Sequence, residues 1–232
     1  MGIYVSPRTV RKYWPEQPER AGRTRTSSQH WKTFIKNHAR GIVACDFLVA
    51  VTARFQVLYV FLAMEVGSRR ILHYNVTAHP TASWTLQQLR EAIPSDHSYQ
   101  FLIHDRDSIF SRELDEQLKN DFKLKVLRTP VRAPTANAYC ERLVGTVRRG
   151  CLDFVIPLNE RHLQMTLRSW VTHYNKGRPH PSLGPGLPEK SSDSPSTGPK
   201  NHRHRLPREC EIGAKEILGG LHHEYWLEQR VA

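Results

Sequence analysis

The stretch IVACDFLVAV at residues 42–51 sets one carboxylate, Asp46, among nine apolar side chains. Its β-branched and aliphatic content reads as a buried strand. An ionised carboxyl is costly to bury there without a partner, so Asp46 calls for one, such as a cation. Two more acids stand out in the same way. Asp105 closes the apolar run FLIHD at 101–105, and Glu141 lies in NAYCERLVGTVRR at 137–149, with 35 residues between the two. Three converging carboxylates point to a divalent metal site.

Working outward, two further strands are expected at Phe55–Met64 and Arg70–Thr77, separated by the turn-capable segments T-A-R and G-S-R and forming an antiparallel meander with the first. In HPTASWTLQQLREAIP, Trp84, Leu86, Leu89 and Ile93 recur at helical spacing, and Pro94 ends the pattern. A short strand at Phe101–Ile103, a helix at Ser111–Phe122 opened by a serine cap, and a strand at Leu124–Leu127 follow, before the helix that carries Glu141. Strands reached through helical crossovers lie parallel to the first, and their carboxyl ends gather ligand sites. Asp46 and Asp105 are expected to meet there. On the last helix Glu141, Gly145, Arg148 and Arg149 share one broad face at i, i+4, i+7 and i+8, combining a metal ligand with phosphate contacts. The plain alternative is a solvated amphipathic helix with Leu143, Val144 and Val147 inward.

The acids and their surroundings resemble the Asp, Asp, 35-spaced Glu signature of the DDE transposases and retroviral-type integrases. The resemblance extends through TPVRAPTANAYCERLVGTVRR at 129–149 and HYNKGRPHPSLGPGLP at 173–188, so residues 40–190 are covered. It implies an α/β ribonuclease H-like fold, a mixed five-stranded sheet flanked by helices, in agreement with the βββαβαβα order. It also implies a transposase or integrase that processes DNA 3′ ends and transfers strands, using Asp46, Asp105 and Glu141 to hold two Mg²⁺ or Mn²⁺ ions. Arg142, Arg148, Arg149 and Arg178 are the matching candidates for DNA contact, and assembly as a homo-multimer on DNA is expected of the family. A prokaryotic, nucleoid-associated protein of the cytoplasm is the corresponding expectation. Two other readings fit the residues: an inactive, truncated DNA-binding remnant, and a nuclease of the same fold that cuts without joining.

This chain departs from the family around the second acid, where HDRDSIF puts His104 in place of the usual Ser and Asp107 in place of Gly. Asp107, with 33 residues between it and Glu141, is a rival ligand, but Asp105 directly follows the strand, which leaves Asp107 to cap the next turn or to support the ligands from behind. Ala138 stands where Gly often follows the residue equivalent to Asn137. His104 and His180 are conceivable general bases because histidine titrates near neutrality, although a two-metal mechanism needs none.

The net charge of +12 fits a polyanionic partner, since lysines and arginines that neutralise phosphates release counterions. Residues 1–40 hold nine Lys or Arg against two Glu, a net +7. This segment reads as a basic arm, and Ser6, Pro7 and Thr9–Trp14 as the end of a truncated helix-turn-helix module. Residues 41–183 form the expected core. Residues 184–232 read as a basic linker, rich in Pro and Ser to 208, with LGGLHHEYWLEQ forming a short hairpin or added strand. The longest apolar stretches are interrupted by Asp46, Thr52, Arg54 and Glu65 and fall short of the roughly 18 residues of a membrane span. Cys45, Cys140, Cys151 and Cys210 form no C-x-x-C pair, which fits a reduced compartment and packing thiols. His202, His204, His222 and His223 have only Cys210 near them in sequence, which does not make a zinc site.

Overall fold

A computed structural model describes residues 31, 33–128, 137–184, 186–189 and 210–229. The chain forms two compact units, Met1–His38 and Ala39–Ala232. In the first, the described residues are helical, and the rings of Trp31, Phe34 and His38 stack in turn. The sequence-based readings of Ser6, Pro7 and Thr9–Trp14 lie outside the described residues.

The second unit begins with three strands, β1 (Ile42–Val51), β2 (Val57–Glu65) and β3 (Ile71–Thr77), paired antiparallel through short turns. Helix α1 (Ala82–Ala92) leads to β4 (Phe101–His104), and α2 (Arg112–Phe122) leads to β5 (Lys125–Arg128). These crossovers return the chain in the same direction, so β4 lies parallel to β1 and β5 parallel to β4. The sheet order is β3-β2-β1-β4-β5. Helices α3 (Ala138–Gly150) and α4 (Glu160–Lys176) follow, then a hairpin of β6 (Cys210–Ile217) and β7 (His222–Gln229). This is the mixed five-stranded sheet with flanking helices that the sequence predicts. The second strand starts later than expected, because Phe55 takes a positive φ of 59° in the turn.

Hydroxyl and amide caps set the helix starts. Thr81 Oγ1 accepts the Trp84 amide, Ser111 Oγ accepts that of Leu114, and Asn159 Oδ1 accepts that of His162. One face of the sheet, with Val43, Cys45, Phe61, Ala63 and Leu102, packs against Leu86 and Leu89 of α1 and Leu114 and Leu118 of α2. The other face carries the intervening residues Ile42, Ala44 and Leu48 and is met by α3 on β1 and α4 on β3. Asn175 ties α4 to the edge strand: its side chain accepts the Ile71 amide at 3.0 Å and donates to the Ile71 carbonyl at 2.9 Å.

Residues 186–189 are a correction to the linker reading. The His180 amide donates to the Gly186 carbonyl, the Glu189 amide donates to the Asn175 carbonyl, and Pro188 is buried, so the packed chain runs past Gly184. The β6–β7 turn uses Gly219 and Gly220 at φ of 66° and 89°, a region where L side chains are strained. Among the described residues no helix is long and apolar enough to cross a membrane.

Candidate active site

Strand alternation decides where the acids go. In the parallel register Ala44 pairs with Ile103, and extending it two residues sets Asp46 beside Asp105 at the carboxyl ends of β1 and β4. Successive side chains alternate between faces, so Asp46 and Asp105 share the face that α3 covers. Cys45 and His104 point to the α1–α2 side. Helix α3 lies along β1, held at its start by Asn137 Nδ2 donating to the Cys45 carbonyl at 3.4 Å and near its end by Arg148 donating to the Val49 carbonyl at 3.1 Å. Glu141 lies between these two anchors, on the exposed surface of the helix.

The electrostatics agree with this placement. Burial pushes the Asp46 carboxyl up to about 7; the Phe47 amide, donating at 2.8 Å, opposes this, and the carboxylates of Asp105, Glu141 and Asp107 add to the rise. Asp46 therefore feels the charge of all three neighbours. Burial also holds the Cys45 and Cys140 thiols well above their usual range, with Asp46 the largest charge contribution in each case. Both remain protonated, which removes them as nucleophiles. Among the described residues, no three His, Cys, Asp or Glu side chains stand close enough to hold a metal ion as placed. Glu141 is exposed to solvent. The donor set still fits a hard divalent ion, because it is all oxygen. Beside it, the buried Asn137 Oδ1 has no hydrogen-bond partner among the described residues.

The remaining candidates separate. Asp105 Oδ1 accepts the Asp107 amide at 2.9 Å, while Asp107 Oδ1 accepts the Ile109 amide at 3.1 Å and caps the turn before α2. His104 is a correction to the general-base reading. It is fully buried on the opposite face, with Nδ1 at 2.6 Å from the Asp105 carbonyl and Nε2 at 3.0 Å from Asp115. Asp115 in turn accepts Arg128 Nε at 2.6 Å. Neither Asp115 nor Arg128 features in the sequence reading; the available signal was a carboxylate beside Leu114 and Leu118 in the inward stripe of α2. His180 sits against Tyr174, and burial, followed by Arg178, lowers its pKa. Arg142 and Arg149 are exposed on α3, Arg178 is half-buried after α4, and Arg69 stacks over Tyr139 at 3.9 Å.

Residues 123–188, from just before β5 to just past the Pro181–Leu183 turn, match the family model of an integrase core domain. That segment, under a third of the chain, is similar to an integrase core domain. Among solved structures, the Mos1 transposase catalytic domain with raltegravir and Mg aligns with a TM-score of 0.53 and 13% identity, over 63% of this chain and 79% of that one. The HTLV-2 integrase catalytic core with magnesium, in dimeric form, gives 0.51 and 10%, over 65% and 94%. A chain of the simian T-cell lymphotropic virus intasome, in complex with PP2A regulatory subunit B56 gamma, gives 0.51 and 13%, over 81% of this chain and 66% of its own length. At these identities the likeness is one of fold. No curated protein sequence matches the chain. The sheet places Asp46 on its central strand and Asp105 directly after the end of the neighbouring one.

Proposed function

We propose that this integrase-type core is a DDE-type polynucleotidyl transferase that processes DNA 3′ ends and joins them to target DNA. The observation that carries the reading is the half-buried Asp46 carboxyl on β1, pushed up to about 7 by burial and then by Asp105 and Glu141, residues 59 and 95 positions later in the chain. Asp46, Asp105 and Glu141 would hold two Mg²⁺ or Mn²⁺ ions. Bound there, divalent cations supply activation of a water or 3′-hydroxyl nucleophile and neutralisation of the leaving oxygen. The chain's own residues do the rest. Phe47 fixes the Asp46 carboxylate through its amide, and the Asp107 amide fixes Asp105. The His104–Asp115–Arg128 chain of hydrogen bonds holds the Asp105 backbone from the far side of the sheet. Asn137 fixes the start of α3 against β1, which sets the height of Glu141 over the strand. Arg142, Arg148, Arg149 and Arg178 are the phosphate contacts of this reading. Action on DNA as a homo-multimer, in a prokaryotic cytoplasm, belongs to the same proposal.

The test is product analysis on labelled DNA carrying element ends, with Mg²⁺ or Mn²⁺, beside Glu141→Gln. Joined strands that disappear in the variant support the transferase. Cut but unjoined strands would replace it with a nuclease, and retarded but intact DNA with a binding remnant.

A further inference from the structure

The end of α3, the end of α4 and β7 enclose a pocket of about 440 Å³ that holds none of the three acids. Its walls include Thr146, Arg149, His173, Arg178, His222 and His223. The C-terminal hairpin closes it. His222 Nε2 donates to the Gly150 carbonyl at 2.6 Å, the His173 and His222 rings stack at 4.9 Å, and His173 Nδ1 meets Glu224 at 3.0 Å. The Glu224 carboxylate also occupies the space beside Gly177 that a Cβ would need, so the close approach of β7 depends on that glycine.

Charge in this pocket is left unbalanced. Glu224, the acid at its edge, is engaged by His173, while neither Arg149 nor Arg178 has a carboxylate partner among the described residues. Arg149 folds back over Gly145, where its guanidinium comes within 3.0 Å of the position a Cβ would take. Two guanidinium groups, a hydroxyl and imidazoles around one hollow suit an oxygen-rich anion, because planar guanidinium forks match phosphate oxygens.

We propose that this pocket binds a phosphodiester of DNA, with the C-terminal hairpin supplying one wall. The proposal rests on the reading that the chain handles DNA, and not on catalysis. Arg149 lies two turns beyond Glu141, on the order of 12 Å along the helix. At a rise of about 3.4 Å per nucleotide, a phosphate held here is roughly three to four nucleotides from one at the carboxylates. Arg149 and Arg178 would therefore fix the register of the strand leaving the acidic site. The +12 charge of the chain favours a polymeric anion over a free one.

Fluorescence anisotropy of labelled duplex in EDTA, across a salt series, tests this with the full chain carrying Glu141→Gln. Arg149→Ala and Arg178→Ala should each weaken binding roughly tenfold and lower the salt slope by about 0.9. Arg90→Ala is the control, since Arg90 lies far from the pocket in an exposed pair with Asp121 and should leave both quantities unchanged. Arginine variants that behave like Arg90→Ala would overturn the proposal. So would unchanged DNA binding combined with loss of inorganic phosphate binding, followed by ³¹P line broadening, because that assigns the pocket to a free anion. Absence of strand transfer would leave this result standing.

Discussion

Removing the charge of Asp46 should stabilise the metal-free protein. A carboxyl raised from 3.8 to about 7 corresponds to about three units at 1.36 kcal/mol each, so ionisation in the folded state costs at most about 4 kcal/mol. Partial solvent access lowers this to about 1–3 kcal/mol. The folded pKa lies above the unfolded one, so the folded state holds the proton more tightly. Stability is therefore greatest below about pH 4 and falls as pH rises towards 7, above which the loss is complete. In Asp46→Asn the amide oxygen can keep the Phe47 hydrogen bond, and only the charge is lost. At pH 8 in EDTA the variant should melt about 3–10 °C above the wild type, given roughly 2–4 °C per kcal/mol for a unit of this size. The difference should shrink towards zero near pH 4. Adding Mg²⁺ at pH 8 should raise the wild type and leave the variant unmoved. Circular dichroism melts at the two pH values decide it: a variant that unfolds at or below the wild-type temperature at pH 8 refutes the reasoning.

Asn175→Ala should destabilise the core by about 2–4 kcal/mol, since it strands a buried amide and carbonyl of Ile71, and a urea midpoint shift measures this. Asp115→Asn should lower the turnover of strand transfer while leaving DNA affinity unchanged, because Asp115 acts on Asp105 only through His104; an equal loss of affinity would contradict that route. Native protein treated with a thiol reagent at pH 8 should modify Cys210 readily and leave the buried Cys45 and Cys140 unreacted until denaturant is added, as mass spectrometry of the labelled peptides would report.

Much of the sheet was legible because period-2 patterning and short turns are local. Apolar runs bounded by turn segments at Thr52–Arg54 and Gly67–Arg69 gave the meander, and the helical crossovers gave the direction of β4 and β5. Alternation along β1 and β4 carries further still: once Ala44 faces Ile103, Asp46 and Asp105 must share a face. Helix α4 has no counterpart among the sequence-based elements, although Asn159 caps it and Leu163, Leu167, Trp170, Val171 and Tyr174 recur at helical spacing before the Y-N-x-x-R-P-H motif at its end. That motif has a packing reason, since Asn175 satisfies both polar groups of Ile71 at the edge strand.

The partners of His104 were hidden for a different reason. A histidine next to a proposed ligand resembles a base in one dimension, but the alternation that exposes Asp105 to α3 turns His104 under the sheet towards Asp115. The partnership of Asp115 with Arg128 spans 13 residues across an α–β connection, and sequence spacing alone does not choose such a pair. The docking of β7 on Gly150 and Gly177 was equally out of reach, because it joins positions 72 and 47 residues apart through an imidazole and a carboxylate with no periodic signature.

The most direct test of the central claim compares Asp46→Asn, Asp105→Asn, Glu141→Gln and Asp107→Asn in one Mn²⁺-dependent strand-joining assay, with DNA affinity measured alongside. The account predicts that the first three lose joined product while binding DNA as tightly as the wild type, and that Asp107→Asn retains joining. Full joining by Asp46→Asn, Asp105→Asn or Glu141→Gln would contradict it.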